Sequence, residues 1–129
     1  MNSLGGKASI LQEKSFQFAV EIVFLADLLH ANFKGFRLAD QILGSGTSIG
    51  ANIREAGNAE SAADFVHKLS IALKECDETV YWLDLLIQTE RISKPLHESL
   101  ISKALELRKM LTSSIVTVKK KSGRLTSKK

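Results

Sequence analysis

The stretch that most resembles a site for chemistry is LGSGTSIGAN, residues 43–52, because glycine-rich runs can wrap a phosphate with backbone amides. A P-loop needs a lysine directly after its last glycine, and none follows Gly44, Gly46 or Gly50. A dinucleotide-binding turn has two residues between its last two glycines, whereas three residues separate Gly46 from Gly50. Both nucleotide-binding patterns are absent, so we predict a helix with small residues on a tightly packed face.

Carboxylates and one lysine form a second group of reactive side chains, on the polar side of the next predicted helices. Carboxylate pairs can act as acids and bases or bind a metal, but no nucleophile or polarising partner accompanies Glu55, Asp64, Glu75 or Glu78. Asp64 and Lys68 have the i,i+4 spacing of a helical ion pair. We therefore predict ion pairs within and between subunits and no catalytic residue.

The histidines and the single cysteine lack the spacing of metal ligands. His30, His67 and His97 lie far apart in the sequence, and Cys76 has no second cysteine with which to form a disulfide. Cys76 also falls on an apolar row, which favours a buried small side chain. The sequence predicts neither a metal site nor a cofactor.

Four segments with apolar residues at helical spacing must position these side chains. In the clearest segment, from Phe65 to Leu86, the residues of the apolar row follow one another at alternating spacings of four and three. Ser61 before this segment is a favourable N-cap for a helix with Asp64 in its first turn. Pro95 suits the first turn of the last helix. The predicted helices cover about residues 9–30, 36–57, 61–90 and 94–118. Joined by short loops, they predict one all-α domain, residues 1–118, folded as an antiparallel up-down-up-down four-helix bundle.

The charge is unevenly distributed along the chain. The net charge is +4, but residues 108–129 hold eight basic and no acidic residues, which leaves ten basic against fourteen acidic residues elsewhere. We predict that residues 119–129 form a basic flexible tail, which either contacts phosphates or only keeps the chain end soluble. No signal sequence or membrane-spanning stretch is recognisable, so we expect a cytoplasmic protein.

Two motifs carry a resemblance to a known family. GTSIGANIREA, residues 46–56, and SAADFVHKLSIALKECDETVYWLDLL, residues 61–86, resemble the bacterial 23S rRNA intervening-sequence proteins, to which accessory proteins of diversity-generating retroelements are similar in fold. The resemblance extends from about Glu13 to Leu111. It implies a ring-like homopentamer without enzymatic activity, whose basic surface binds structured RNA or RNA–DNA.

The family pattern falls on the second and third helices, which the resemblance makes candidates for subunit contact or close packing. These residues are Gly46, Ser48, Ile49, Asn52, Glu55, Asp64, Lys68, Glu75, Glu78 and Trp82. Family members commonly carry arginine where this chain has Gly44, which shifts the expected nucleic-acid contacts to other cations. The candidates are Lys34, Arg37, Arg54, Arg108, Lys109, Lys119, Lys120, Lys121 and Arg124.

We therefore predict a non-catalytic oligomer that associates with structured nucleic acid, in preference RNA, through its basic surface and tail. One alternative is a scaffold that binds a protein partner and no nucleic acid. A second is a ribonuclease, because Arg91 and His97 form an R-x5-H pattern that resembles helical ribonucleases of the higher-eukaryote-and-prokaryote-nucleotide-binding class. Pro95 within the spacing and Ile92 in place of a polar residue disfavour the ribonuclease.

Overall fold

The computed structural model describes residues 6–127, with side chains for residues 10–123. Four helices make up almost all of this part: α1 (Gly6–Asn32), α2 (Arg37–Ala56), α3 (Ala62–Gln88) and α4 (Lys94–Ser127). Residues 6–127 contain no strand, so the prediction of an all-α four-helix bundle is confirmed. None of these helices is both long and apolar enough to cross a bilayer.

Local sequence signals explain where the helices begin and end. The Ser61 hydroxyl accepts a hydrogen bond from the Asp64 amide at 3.0 Å, which confirms the predicted N-cap of α3. Gly35, in the loop between α1 and α2, has a φ of 72°, a conformation that glycine adopts without strain.

Each helix packs against two others, because α1 contacts α2 and α4 while α3 contacts α2 and α4. Within the described residues no Cα atom of α1 lies within 8 Å of a Cα atom of α3, so these two helices occupy diagonal corners of the bundle. Between consecutive helices, the contacting residue number rises along one helix as it falls along the other, which shows that the two helices are antiparallel. Such pairs are Gly46 with Ile22 and Gly50 with Ser15, Ser45 with Thr79 and Glu55 with Lys68, Cys76 with Ala104 and Asp84 with His97.

The core runs along the centre of the bundle and contains the predicted row of α3. All seven members of that row are buried: Phe65, Leu69, Ala72, Cys76, Thr79, Leu83 and Leu86. The one polar member is satisfied, because the Thr79 hydroxyl lies 2.9 Å from Ser45 Oγ and donates to the Glu75 carbonyl at 2.8 Å.

The fourth helix is longer than the sequence pattern predicts. It continues to Ser127, so residues 119–127 extend α4 where a separate flexible tail was expected. Lysine, arginine and leucine all favour helices, and positive charges near a helix C-terminus interact well with its dipole. Residues 128 and 129 and the side chain of Arg124 lie outside the described part of the chain.

Candidate nucleic-acid interface

The glycine-rich stretch lies wholly within α2 and packs against α1, which confirms the predicted helix. A Cβ atom on Gly46 would lie 2.8 Å from both γ carbons of Ile22, and one on Gly50 would lie 3.3 Å from the Ser15 carbonyl oxygen. The polar side chains of the stretch bond back to its own backbone: Thr47 donates to the Leu43 carbonyl at 2.7 Å, Ser48 to the Gly44 carbonyl at 2.6 Å and Asn52 to the Ser48 carbonyl at 2.9 Å. Because its amides are helical and its hydroxyls are engaged, this stretch cannot wrap a phosphate.

Half of the residues proposed for subunit contact make contacts within a single protomer. Gly46 and Ile49 are buried in the core of one protomer. Lys68 donates to Glu55 at 2.9 Å, and this hydrogen bond and charge raise the pKa of Lys68. Asp64 accepts from the Glu60 amide at 3.4 Å, at the start of α3. These side chains therefore hold α1, α2 and α3 of one protomer together.

The other half lie on the outer side of the α2–α3 pair. Ser48, Asn52, Glu75 and Trp82 are half-buried, and Glu78 is exposed. Burial, and secondarily the nearby charge of Glu78, raise the pKa of Glu75. Nε1 of Trp82 is buried and has no hydrogen-bond partner among the described residues. Within this part of the chain, no three histidine, cysteine or carboxylate side chains converge as metal ligands.

Four lysine and arginine side chains of the bundle body are neutralised by a neighbouring carboxylate. Lys14 lies 3.3 Å from Glu106, Lys103 lies 2.8 Å from Glu21, and Lys68 is paired as described. Arg108, a candidate for nucleic-acid contact, donates from Nε to Asp77 at 2.7 Å. This pairing leaves Arg108 less available to phosphate than the sequence alone suggests.

The candidate cations do not form one continuous surface. Lys34 lies in the α1–α2 loop and Arg37 begins α2, whereas Arg54 lies in the last turn of the same helix. At 1.5 Å per residue, about 25 Å separates Arg37 from Arg54. The structure thus divides the candidates between the two ends of the bundle.

The four lysines of α4 between Glu106 and Gly123 are free of ion pairs within the described part of the chain. Lys109, Lys119, Lys120 and Lys121 are all exposed, and no acidic residue follows Glu106 in the sequence. The antiparallel packing brings the C-terminal end of α4 to the end of the bundle at which α2 also terminates. Arg54 and the three adjacent lysines therefore lie at the same end.

Arg91 and His97 contact different structural partners. The Arg91 guanidinium lies 4.6 Å from the ring centre of Phe36 and 5.2 Å from that of Phe33, with a buried Nε that has no partner among the described residues. His97 Nε2 lies 3.0 Å from Asp84 Oδ1. These partners were not predictable from the sequence, since an R-x5-H pattern gives no information about the opposite loop. Arg91 fastens the α1–α2 loop to the α3–α4 connection, and His97 joins the start of α4 to α3.

Cys76 is fully buried, as predicted, and donates to the Ala104 carbonyl at 3.1 Å. Removal from water raises the pKa of its thiol to about 11. The neutral thiol is therefore the dominant form at neutral pH, and it is a poor nucleophile.

A patch of exposed apolar side chains on α1 was also missed. Val23, Phe24 and Leu28 are 42%, 68% and 46% exposed, a set that we call the α1 patch. The helical spacing of α1 indicates only the apolar row that faces the core, because α1 is apolar on several sides and one row does not exclude another.

Comparison with known proteins agrees with this architecture. The model of the 23S rRNA-intervening sequence protein family matches residues 7–113. A crystal structure of a protein of unknown function, from the S23 ribosomal protein family of Bacteroides thetaiotaomicron VPI-5482, is 52% identical with a TM-score of 0.82; the match covers 84% of this chain and 97% of that one. No curated protein matches the chain. The family match ends before Lys119, so the lysine-rich end of α4 lies beyond the shared region.

Proposed function

The chain belongs to the 23S rRNA-intervening sequence protein family, and we propose that it is a non-catalytic oligomer that binds structured nucleic acid, in preference RNA, in the cytoplasm. The main contact surface is the lysine-rich end of α4. The observation that supports this role is the charge of α4 beyond Glu106, where Lys109, Lys119, Lys120 and Lys121 are exposed, lie in no described ion pair and have no acidic residue among them.

The lysines of α4 form an extended cationic surface on a regular element. Lys109 and Lys120 are eleven residues apart, which corresponds to about 16 Å along the helix axis. Lysine chains of this kind contact phosphates at different positions without reading base edges. We therefore propose binding that depends strongly on salt and little on sequence.

Assembly would multiply these contacts, since each copy adds its own α4 to one RNA molecule. We propose that the copies associate head to tail, with the α1 patch of one copy against the α3 surface that contains Tyr81 and Trp82 of the next. Tyr81 is 59% exposed, and α1 and α3 lie at diagonal corners, so one copy presents two distinct apolar surfaces. Such heterologous contacts close into rings, and the family resemblance favours five members.

Light scattering after size exclusion tests the assembly. We expect wild-type protein to have several times the protomer mass and Phe24→Ser to reduce it. Leu105→Ser is the matched control, because Leu105 is a 49% exposed leucine on α4, outside both surfaces. A monomeric wild type, or equal masses for the two variants, would contradict the proposed contacts.

RNA binding is tested with two triple variants of equal charge change. Fluorescence anisotropy of a labelled RNA hairpin at low salt should show a large loss of affinity when Lys119, Lys120 and Lys121 are changed to glutamine. The control changes Lys14, Lys94 and Lys103 to glutamine. Lys14 and Lys103 are held in ion pairs, and Lys94 is at the other end of α4. Equal losses in both variants would mean that net charge alone matters and that the α4 end is not the site.

The scaffold alternative is favoured by the exposed α1 patch, which suits a protein partner as well as a second copy. The scaffold alternative predicts that the wild-type protein is an oligomer and that it binds no RNA at low salt. The ribonuclease alternative predicts cleavage of the hairpin that is lost in His97→Ala. We expect the RNA to remain intact, because Arg91 and His97 are engaged in contacts that fasten loops and helices.

A further inference from the structure

A groove lies between the first half of α1 and the second half of α2. Its volume is about 550 Å³, within the range of roughly 300–1,000 Å³ that is typical of small-molecule sites. Its walls include Phe16 and Ala19 from α1 and Gly50, Ala51 and Arg54 from α2. Ala19 and Ala51 contribute only small side chains to this lining, which leaves space between the two helices.

The aromatic and cationic groups of the groove are accessible. Phe16 is 52% exposed, and the Arg54 guanidinium lies 5.7 Å from its ring centre. Arg54 is exposed and has no carboxylate partner within the described residues. The one acidic residue of the lining, Glu55, is neutralised by Lys68 at 2.9 Å. The charge left uncompensated in the groove is therefore positive.

Two amide side chains complete the lining. Gln12 and Asn58 both line the groove, and neither side chain makes a hydrogen bond within the described part of the chain. An amide presents a donor and an acceptor together, the combination that can pair with a base edge. Thr47 also lines the groove, but its hydroxyl is committed to the Leu43 carbonyl.

We propose that this groove binds one unpaired nucleotide of a structured RNA. The base stacks on the Phe16 ring, Arg54 contacts the adjoining phosphate, and Gln12 and Asn58 bond to the base edge. Loops and bulges of structured RNA supply such nucleotides, since their bases can be turned outward and stacked on aromatic side chains. This inference rests on the proposed function and adds recognition of single-stranded positions to the contacts of α4.

The position of the groove agrees with this assignment. Arg54 lies in the last turn of α2, at the end of the bundle that also has Lys119, Lys120 and Lys121. Those lysines can hold the paired stem of a hairpin by its phosphates while an unpaired nucleotide enters the groove. An apolar side chain of a second copy is the competing occupant, and it would leave Arg54 without a charged partner.

The test compares a fluorescent RNA hairpin that has an unpaired loop with a fully paired duplex of equal phosphate number. We expect Phe16→Leu to weaken hairpin binding about tenfold, because loss of base–aromatic stacking has effects of that size, and to leave duplex binding unchanged. Arg54→Gln should weaken hairpin binding more than duplex binding. Leu105→Ala is the control, since Leu105 is an exposed apolar residue outside the groove and outside both proposed contact surfaces.

The outcomes separate this inference from the proposed function. If Phe16→Leu affects hairpin and duplex equally, or behaves like Leu105→Ala, the groove does not bind a nucleotide, although α4 can still bind RNA. If Phe16→Leu changes the oligomer mass in light scattering, the groove is a contact between copies and the inference is overturned. If the wild type binds neither RNA at low salt, both the inference and the proposed function fail.

Discussion

Two glycines on the same helix should respond in opposite ways to the same substitution. Gly44 faces open space, since a Cβ atom there would have no neighbour within 4 Å. Alanine is favoured over glycine in a helix interior by about 1 kcal/mol. We therefore expect Gly44→Ala to raise the free energy of unfolding by about 1 kcal/mol.

Gly46→Ala gains the same helix propensity but meets a buried side chain. The new Cβ would lie 2.8 Å from two carbons of Ile22, and Ile22 is fully buried and cannot turn toward solvent. Overpacking of this kind costs about 1–3 kcal/mol, which offsets or exceeds the propensity gain. We expect Gly46→Ala to be less stable than Gly44→Ala by about 1–3 kcal/mol.

Urea denaturation followed by circular dichroism at one protein concentration measures both values. Replacing Ile22 with alanine removes the clashing carbons, and we expect Gly46→Ala to become stabilising in that background although Ile22→Ala itself costs about 2–5 kcal/mol. Equal unfolding free energies for Gly44→Ala and Gly46→Ala would refute the close approach of α1 and α2 at this point.

Three further predictions concern other parts of the fold. Ser61→Ala should lower the unfolding free energy by about 1 kcal/mol in urea denaturation, because the Asp64 amide loses its cap, whereas exposed Ser70→Ala in the middle of α3 should not lower it. Cys76 keeps its proton in the folded state up to its pKa of about 11 but loses it earlier when unfolded, so stability should fall as the pH rises from about 9 to about 11, and fall less in Cys76→Ala. Arg91→Met should lower the unfolding free energy by about 1–2 kcal/mol, since two aromatic contacts of the cation are lost, and a variant as stable as wild type would contradict the fastening role of Arg91.

The row of α3 was predictable from sequence because helical periodicity directly reports the buried side of a helix. All of its members from Phe65 to Leu86 are buried, and the cap at Ser61 depends only on residues three positions apart. The end of α4 was not predictable in the same way. The apolar pattern stops at Val118, and the continuation to Ser127 depends on helix propensity, which leaves no periodic signal.

The candidate site was only partly predictable, because its features depend on two helices at once. The sequence indicates that Glu55 and Lys68 form ion pairs, but the structure shows that they pair with each other inside one chain. The groove likewise requires Phe16 and Ala19 of α1 to lie opposite Gly50 and Arg54 of α2. Neither helix contains that information alone, since it depends on how the two are rotated relative to each other.

The salt dependence of RNA binding measures how many phosphates the lysines of α4 contact. The logarithm of the association constant should fall linearly with the logarithm of salt concentration, because each phosphate contact releases bound counterions. Changing Lys119, Lys120 and Lys121 to glutamine should reduce that slope by up to about 3, roughly one for each lysine that contacts a phosphate. If the triple variant has the same slope as the wild type, or if wild-type binding does not depend on salt, the lysines of α4 are not the RNA-binding surface.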